Sequence, residues 1–409
     1  MTDWYTDKKI LLAVSGGIAA YKAAELTRLL IKQGAQVRLM MTQAAQNFIP
    51  AKTLAILSQN PVLTDDSWQR DVAAVDHVTW ANWADVVLVV PATANIIGKI
   101  AQGLADDVVS TTIMASRADK ILAPAMNDGM WASPAVQRNV SQLKADGWLI
   151  INPVTGFLAE GYEGTGRLAN LTEIVSQVPI RVLAQVDNIL KDKQVVITAG
   201  GTQEALDPVR YLTNRSSGKM GYALAEAAAE RGAQVILIAT VDRPVPYGVK
   251  LIKVNDAQSM LGAVKQYLPT ASVFIAAAAV SDFRPAQLAE NKIKKTPGQT
   301  SWQLALTLNP DILATVGQAK GPRQVVVGFA AETQDLADNA QKKLVSKGAD
   351  MIVANDVSEQ AAGFNSDNNA VTLFIKNRLP QPVALANKLV IAREIMDQTM
   401  ALLASKVLE

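Results

Sequence analysis

One short pattern opens each half of this 409-residue chain. An apolar run over residues 10–14 stops at Ser15-Gly16-Gly17. A helical pattern then fills 19–31, Gln33-Gly34 ends it, and Ala35-Gln36-Val37 begins a new apolar run. Far downstream, Val195-Val196-Ile197 stops at Gly200-Gly201-Thr202. An alanine-rich helical pattern over 223–231 ends at Gly232, and Ala233-Gln234-Val235 follows. Each reads as a strand–helix–strand unit that opens an α/β half with a parallel sheet. The sequence therefore predicts two doubly wound, Rossmann-like domains, over 1–187 and 188–409. The polar stretch 187–193 marks the join, after a helix that begins at the capping pattern Asn170-Leu171-Thr172-Glu173 and runs to about Val186.

A chain of this length accommodates about two domains, and 49% hydrophobic residues are enough for two sizeable cores. The net charge of +2 argues against nucleic-acid binding by bulk charge. The absence of cysteine excludes disulfides, thiolate metal sites and cysteine nucleophiles. A single histidine excludes histidine-cluster metal sites. No apolar run reaches the length of a membrane span. These bounds predict a cytoplasmic enzyme or binding protein.

In a doubly wound sheet the ligand sits outside the carboxyl ends of the strands. In the first half those ends carry Ser15, Gly16, Gly17, Thr42, Thr93, Asn95 and Asn127. Small hydroxyls, amides and backbone donors with little charge suit a flat, phosphorylated, mostly neutral ligand. His77 lies ahead of the apolar run 86–90. A lone histidine is ordinarily structural or solvated, although imidazole is the side chain suited to basic work near neutral pH.

Ser15-Gly16-Gly17-Ile18-Ala19-Ala20, Pro91-Ala92-Thr93-Ala94-Asn95, and Pro124-Ala125-Met126-Asn127 with Met130-Trp131 resemble the flavin-binding cysteine decarboxylases. The resemblance implies FMN in the pocket, His77 as base and Asn127 as the residue that holds the substrate. Gly156-Phe157-Leu158-Ala159-Glu160-Gly161-Tyr162-Glu163-Gly164-Thr165-Gly166-Arg167 resembles that family's active-site flap. There the family carries a proton-donating cysteine at the position of Glu160. A thiol keeps its proton at neutral pH, whereas a glutamic acid ordinarily does not. The glycine-rich flap is expected to be mobile and wet, so the expectation is decarboxylation with a slow final reduction. Tyr162 and Glu163 are the neighbouring alternative donors.

In the second half, Ser216-Ser217-Gly218-Lys219 and Gly221 lie between a strand and a helix. Two readings are open, an ordinary turn or an anion site built from backbone N–H groups, hydroxyls and an ammonium. The crowding of donors favours the anion site. Lys292-Ile293-Lys294-Lys295 follows Asp282 and is either a solvated run or a phosphate-neutralising loop. Phe329, after the apolar run 325–327 that Gly328 ends, either stacks on a base or packs in the core. Lys343 and Lys347 share a helix face. The loop 363–368 is polar, and a packing helix over about 387–407 closes the chain. No Walker-type loop is present.

Asp207-Pro208-Val209-Arg210, Asn214-Arg215-Ser216-Ser217-Gly218-Lys219-Met220-Gly221, Ala278-Ala279-Val280-Ser281-Asp282-Phe283-Arg284, Lys292-Ile293-Lys294-Lys295, Gly328-Phe329-Ala330-Ala331-Glu332-Thr333 and Ala354-Asn355-Asp356-Val357 are similar to phosphopantothenate–cysteine ligase. Both halves in one chain resemble the bacterial bifunctional enzymes of coenzyme A biosynthesis. The resemblance implies CTP-dependent coupling of cysteine to 4′-phosphopantothenate with Mg²⁺, then FMN-dependent decarboxylation of 4′-phosphopantothenoylcysteine to 4′-phosphopantetheine. It places Ala278, Ala279, Asp282, Lys292, Asn309, Pro310, Asp311, Ile312, Phe329, Lys343 and Lys347 at CTP, with Lys292 at the reacting phosphate. Asn214 and Arg210 then hold the acyl group. A homo-oligomer is implied too, a dodecamer of flavin-domain trimers joined by ligase-domain dimers. Two alternatives remain at this stage: an active ligase with an impaired flavin half, and a regulatory flavoprotein.

Overall fold

Strand β1, Lys9–Val14, is buried over all residues but the first. That burial needs cover on both faces of a sheet, the usual situation of parallel strands. The computed structural model describes residues 3–68, 75–294, 300–332, 335–356 and 366–408. Lys295, Thr333, Val357 and 363–365, named above, lie outside the described residues. The chain divides into two compact units, Met1–Val182 and Leu183–Glu409. The division falls within helix Leu171–Val186, just before the expected join.

In the first unit β1 is followed by β2 (Gln36–Met41), β3 (Val62–Leu63), β4 (Val86–Ala92), β5 (Asp119–Pro124) and β6 (Leu149–Ile150). All pair in parallel, in the order β3-β2-β1-β4-β5-β6. Successive strand side chains point to opposite faces, so the apolar runs split into two cores. Ile10, Leu12, Leu88 and Ile121 meet Leu26, Leu30, Ile174 and Val178 on one face. Leu11, Ala13, Val87 and Leu122 meet Ile96, Ile97, Val140 and Leu143 on the other. Strand order reverses between β1 and β4, and that reversal opens a crevice above their carboxyl ends. Two short strands outside the sheet, β7 (Val154–Phe157) and β8 (Glu163–Arg167), form an antiparallel hairpin.

The second unit repeats the plan. Its strands are β9 (Gln194–Ala199), the ribbon β10 (Gln203–Ala205) with β11 (Tyr211–Thr213), β12 (Gln234–Ala239), β13 (Val249–Lys253), β14 (Ala271–Ala276), the ribbon β15 (Phe283–Pro285) with β16 (Leu306–Leu308), β17 (Val325–Glu332), β18 (Met351–Asp356), β19 (Asn368–Ile375) and β20 (Gln381–Asn387). The main sheet runs β13-β12-β9-β14-β17-β18-β19-β20. It is parallel through β18, while β19 and β20 are antiparallel. A short turn with Asn377 in the left-handed region joins those two, and such a turn reverses the chain direction.

Two strand ends differ most from the sequence reading. Strand β14 stops at Ala276 rather than at 280. Beyond it the backbone leaves the ladder, and Ala278 N–H and Ser281 N–H donate to Thr198 Oγ1 (3.2 Å) and Thr202 Oγ1 (3.0 Å). Strand β17 continues through Gly328 to Glu332, because Gly328 and its successors stay in register with β18. The last helix, Lys388–Leu408, is tied to the sheet near its end by Lys406 Nζ, 2.8 Å from Asp350 Oδ1. No helix among the described residues is long and apolar enough to cross a membrane.

Candidate active sites

A cavity of about 680 Å³ lies over the β1–β4 reversal, within the size range of small-molecule sites. Gly16 and Gly17 follow β1, Thr93 and Asn95 follow β4, and Asn127 follows β5; all five line it, as does Glu160. Ile18 and Met130 also line it and are 62% and 49% exposed, so a flat apolar body has walls to cover. Ser15 is buried behind the wall. Its Oγ donates to Pro91 O (2.7 Å) and accepts from Thr93 N–H (3.0 Å), clamping the ends of β1 and β4 together. Thr42 caps a short helix through Ala45 N–H (3.3 Å) and does not line the cavity. Two cations missed in the sequence reading, Lys22 and Arg167, line it as well. Burial, with Arg167 nearby, lowers the Lys22 pKa below its ordinary value.

His77 stands in helix Asp76–Trp83, edge-on to Trp68 with ring centroids 5.5 Å apart. It does not line the cavity of its own chain. Its Nδ1 is buried and has no hydrogen-bond partner among the described residues.

The flap is the β7–β8 hairpin, and its base is seated on the end of β5. Met126 N–H donates to Gly166 O at 3.0 Å, and a Cβ at Gly166 would stand 2.1 Å from Met126 O. Only glycine allows that approach. At the tip, Asn127 Nδ2 donates to Glu160 Oε1 (3.1 Å) and to Tyr162 Oη (2.8 Å). Tyr162 Oη in turn donates to Asp128 Oδ1 at 2.6 Å. That bond lowers the Asp128 pKa and raises the Tyr162 pKa. The tip of the flap is thus bonded to the end of β5 through polar side chains that stay exposed to solvent.

The second unit holds a larger cavity, about 1050 Å³, over the carboxyl ends of β9, β14, β17 and β18. It is lined by Asn214, Ala278, Ala279, Asp282, Asn309, Pro310, Asp311, Ile312, Phe329, Lys343 and Lys347. Helix Lys219–Ala229 starts here, after Gly218 in the left-handed region at φ 73°, which favours glycine. Asn214 Nδ2 donates to Ala279 O (3.2 Å) and Asn309 Nδ2 to Ser281 O (2.8 Å), so both amides order the loop after β14. Lys343 belongs to helix Leu336–Ser346, whereas Lys347 is its C-cap. Lys347 pairs with Asp311, which also caps helix Ile312–Ala319 through Ala314 N–H (2.8 Å). Burial opposes ionisation of Asp311, but Lys347 and the cap outweigh it and keep its pKa low.

Arg210 and Lys292 do not line this cavity. Arg210 Nε and Nη2 donate to Asp207 Oδ2 at 3.0 and 2.5 Å, and Nη2 also donates to Ile293 O at 2.9 Å. Ile293 N–H closes the ring on Asp207 Oδ2 at 3.1 Å. The Asp207–Arg210 pair thus holds the exposed loop that carries Lys292, and the Arg210 bond keeps the Asp207 carboxyl far below the usual carboxylate range.

Asn355, Asn369 and Lys388 also line the cavity. Lys388 is buried and donates to Ser366 O, so the closing helix supplies a cation to the site besides packing on the sheet. Among the described residues no group of three or more His, Asp or Glu could hold a metal ion.

Two α/β units, each with a cavity at its strand ends, define a two-site chain whose first unit matches the flavoprotein family over residues 2–183. The second unit matches the DNA/pantothenate metabolism flavoprotein C-terminal domain over residues 190–403. The coenzyme A biosynthesis bifunctional protein CoaBC of Bacillus subtilis (strain 168) is 44% identical over 398 residues, 97% of each chain. That of Vibrio cholerae serotype O1 is 46% identical over 375 residues, 90% of this chain and 92% of the relative. That of Escherichia coli (strain K12) is 45% identical over 369 residues, 90% of each. The chain belongs to the family of coenzyme A biosynthesis bifunctional proteins CoaBC. A solved C-terminal domain of such a protein also aligns, with 40% identity and a TM-score of 0.46, covering 53% of this chain and 99% of that one.

Proposed function

We propose that the chain performs two consecutive steps of coenzyme A biosynthesis, a CTP-dependent ligation in the second unit and an FMN-dependent decarboxylation in the first. The observation that carries this is the pair of cavities. One is lined by lysines, amides and a half-buried phenylalanine; the other by apolar walls, a carboxamide and a flap.

In the second unit, attack of the 4′-phosphopantothenate carboxylate on the α-phosphate of CTP brings anions together, and cations must screen them. Lys343 and Lys347 stand at the cavity wall for the phosphates, Asp282 and Asn309–Ile312 border the nucleotide, and Phe329 offers its ring to the base. Ala278 and Ala279 let the ligand lie close to the backbone. Lys292 does not line the cavity, so the loop that Asp207 and Arg210 hold must bring it over the reacting phosphate when the nucleotide binds. We therefore read Arg210 as a positioning residue, and Asn214 as the group beside the acyl carbonyl. Cysteine's amine then displaces the cytidylate to give the amide. Mg²⁺ would arrive on the nucleotide phosphates, since such ions commonly use one or two carboxylates and keep their other ligands on substrate and water.

In the first unit the residues fit FMN. Gly16, Gly17 and the start of helix Ala94–Gln102 offer backbone N–H groups to a phosphate, Thr93 and Asn95 border it, and Ile18 and Met130 offer an apolar face to a flat ring. FMN, when bound, would take up a hydride, with its electron pair, from the carbon bearing sulfur as the thiol gives up its proton, which makes loss of CO₂ easy, and would later return that hydride. Asn127 orients the 4′-phosphopantothenoylcysteine end under the flap. His77, as base, must reach the cavity of a neighbouring copy, because it does not line its own. That requirement accords with a homo-oligomer of flavin-unit trimers joined by ligase-unit dimers. A cytoplasmic location completes this reading, and neither an impaired nor a merely regulatory flavin half is favoured.

Two assays test it separately. With CTP, phosphopantothenate and cysteine, pyrophosphate release is expected, and its absence refutes the ligase assignment. Given phosphopantothenoylcysteine without CTP, CO₂ release is expected; if none appears, the first-unit assignment fails.

A further inference from the structure

Beside the nucleotide cavity of the second unit lies another, of about 540 Å³, which shares Leu308, Asn309 and Pro310 with it. Its volume is within the range of small-molecule sites. Helix Ala257–Tyr267 lends Gln258, Leu261 and Lys265 to one wall, and the β15–β16 ribbon lends Arg284 and Leu308 to the other. None of the lining residues is acidic. Lys265 makes no ion pair among the described residues. Arg284 engages one nitrogen. Its Nη1 donates to Leu308 O and to Asn309 Oδ1 (3.2 Å), while Nε and Nη2 have no partner among the described residues. Gly262 sits inside the same helix, where glycine is destabilising relative to alanine. A Cβ there would meet nothing within 4 Å, so packing inside the unit does not call for glycine. Gln258, Gly262 and Lys265 share one helix face, and the bare position between the two polar side chains keeps the cavity open.

We propose that this cavity binds a small organic phosphate, and that its occupancy strengthens nucleotide binding in the neighbouring cavity. The coupling rests on the CTP reading of the larger cavity; the binding does not. A phosphate monoester carries about −1.5 to −2 charge at pH 7, which matches Lys265 and Arg284 together. The Nε and Nη2 donors form a fork suited to two phosphate oxygens, and the ammonium adds a point charge. The Gln258 amide supplies a further donor. Leu261 is half-buried and Leu308 is 67% exposed, so an apolar body attached to the phosphate has surface to cover. The link to the nucleotide runs through Asn309. Its N–H donates to Asp282 O and its Nδ2 to Ser281 O, both at 2.8 Å. Asp282 and Asn309 both line the nucleotide cavity. A phosphate on the other edge of the guanidinium fixes Arg284 in the orientation that holds Asn309, and so favours the ordered loop. By reciprocity CTP tightens phosphate binding by the same factor.

The test titrates phenyl phosphate into the full chain by calorimetry, alone and with CTP. Saturable binding is expected in the unaltered protein. Lys265→Ala, which removes a charged donor, should weaken it at least ~10-fold. Gly262→Leu, a change to a good helix former with open space around its Cβ, should cover the cavity and abolish it. Neither variant should change CTP affinity measured without phenyl phosphate by more than about twofold, which also shows that both are folded. In the unaltered protein, saturating phenyl phosphate should raise CTP affinity at least ~5-fold, and in Gly262→Leu it should have no effect. The site is refuted if the unaltered protein shows no saturable binding, or if both variants bind phenyl phosphate as it does. Phenyl phosphate that weakens CTP binding would refute the coupling and place the probe in the nucleotide cavity. If CTP does not bind the unaltered protein at all, the ligase reading fails, while the titration with phenyl phosphate alone still decides the site.

Discussion

The two units share the strand order 3-2-1-4-5-6, counting each from its own first sheet strand, yet their strand ends carry opposite chemistry. Both use a hydroxyl to fix the loop above the reversal: Ser15 bridges the ends of β1 and β4, while Thr198 and Thr202 hold the loop after β14. The frame is the same, and the loops differ. In the first unit the cavity is bordered by a hairpin with a tyrosine and a glutamate at its tip, and among the described residues Lys22 and Arg167 bring its positive charge. In the second, Lys219, Lys343, Lys347 and Lys388 converge from three helices and the cap of one. The comparison teaches that this sheet supplies a place for a ligand, and the connecting segments decide which ligand and which reaction.

The comparison breaks most visibly if a change in one cavity disturbs the other reaction. Lys292→Gln is expected to slow acyl-cytidylate formation about 10²–10³-fold, measured as pyrophosphate release, and to leave CO₂ release from supplied phosphopantothenoylcysteine as it was. Asn127→Ala should do the converse. Decarboxylation should fall by about 10²-fold, while flavin absorbance and CTP-dependent pyrophosphate release persist.

Smaller effects sharpen the contrast. Asp207→Asn weakens the clamp on the Lys292 loop, so ligation should fall by about tenfold with no change in the first unit; charge-assisted bonds of this kind are about twice as strong as neutral ones. Asp207 has a depressed pKa in the folded state. Its stabilising contribution is therefore full above about pH 4, the unfolded value, and is lost as pH falls below it. Asp207→Asn lacks this contribution at every pH, so in denaturant melts its stability deficit in the second unit should be largest above about pH 4 and should shrink as pH falls below that. Glu226 has the opposite sign. Burial, and then Glu230, push its pKa up to about 7. The folded state thus holds a proton that the unfolded state releases, and stability declines as pH rises from about 4.5 to 7. Glu226→Gln should raise the melting temperature by a few degrees at pH 8 and by less at pH 5.

Much of this was legible in the residues. Unbroken apolar runs marked β1 and β9, which lead into glycines, and β4 and β5, which lead into Pro-Ala, and ligand-facing groups follow from where parallel strands end. That rule found Gly16, Gly17, Thr93, Asn95, Asn127, Asn214, Asp282 and Phe329 at the cavities. It could not separate residues that face the ligand from those that hold the loops. Ser15, Thr42 and Arg210 have the right chemistry for a ligand, but each already makes a hydrogen bond that orders the chain around it. Lys388 was overlooked because a lysine at the start of a long helix looks like a solvated end, and its burial depends on the distant polar loop near Ser366. Lys22 and Arg167 were hidden in the same way, one inside a helix and one on a hairpin strand. The bonding of the flap was also out of reach, since Asn127, Asp128, Glu160 and Tyr162 meet only when the hairpin lies on the end of β5.

The most direct test of the central claim, one frame used twice for successive reactions, follows both products from one sample. The full chain is given phosphopantothenate, cysteine and CTP without oxygen, and pyrophosphate and CO₂ are recorded together. The account predicts pyrophosphate first, CO₂ after a lag and in equal final amount, and neither product when CTP is omitted. CO₂ released from the same mixture without CTP, or pyrophosphate accumulating with no CO₂, would contradict it.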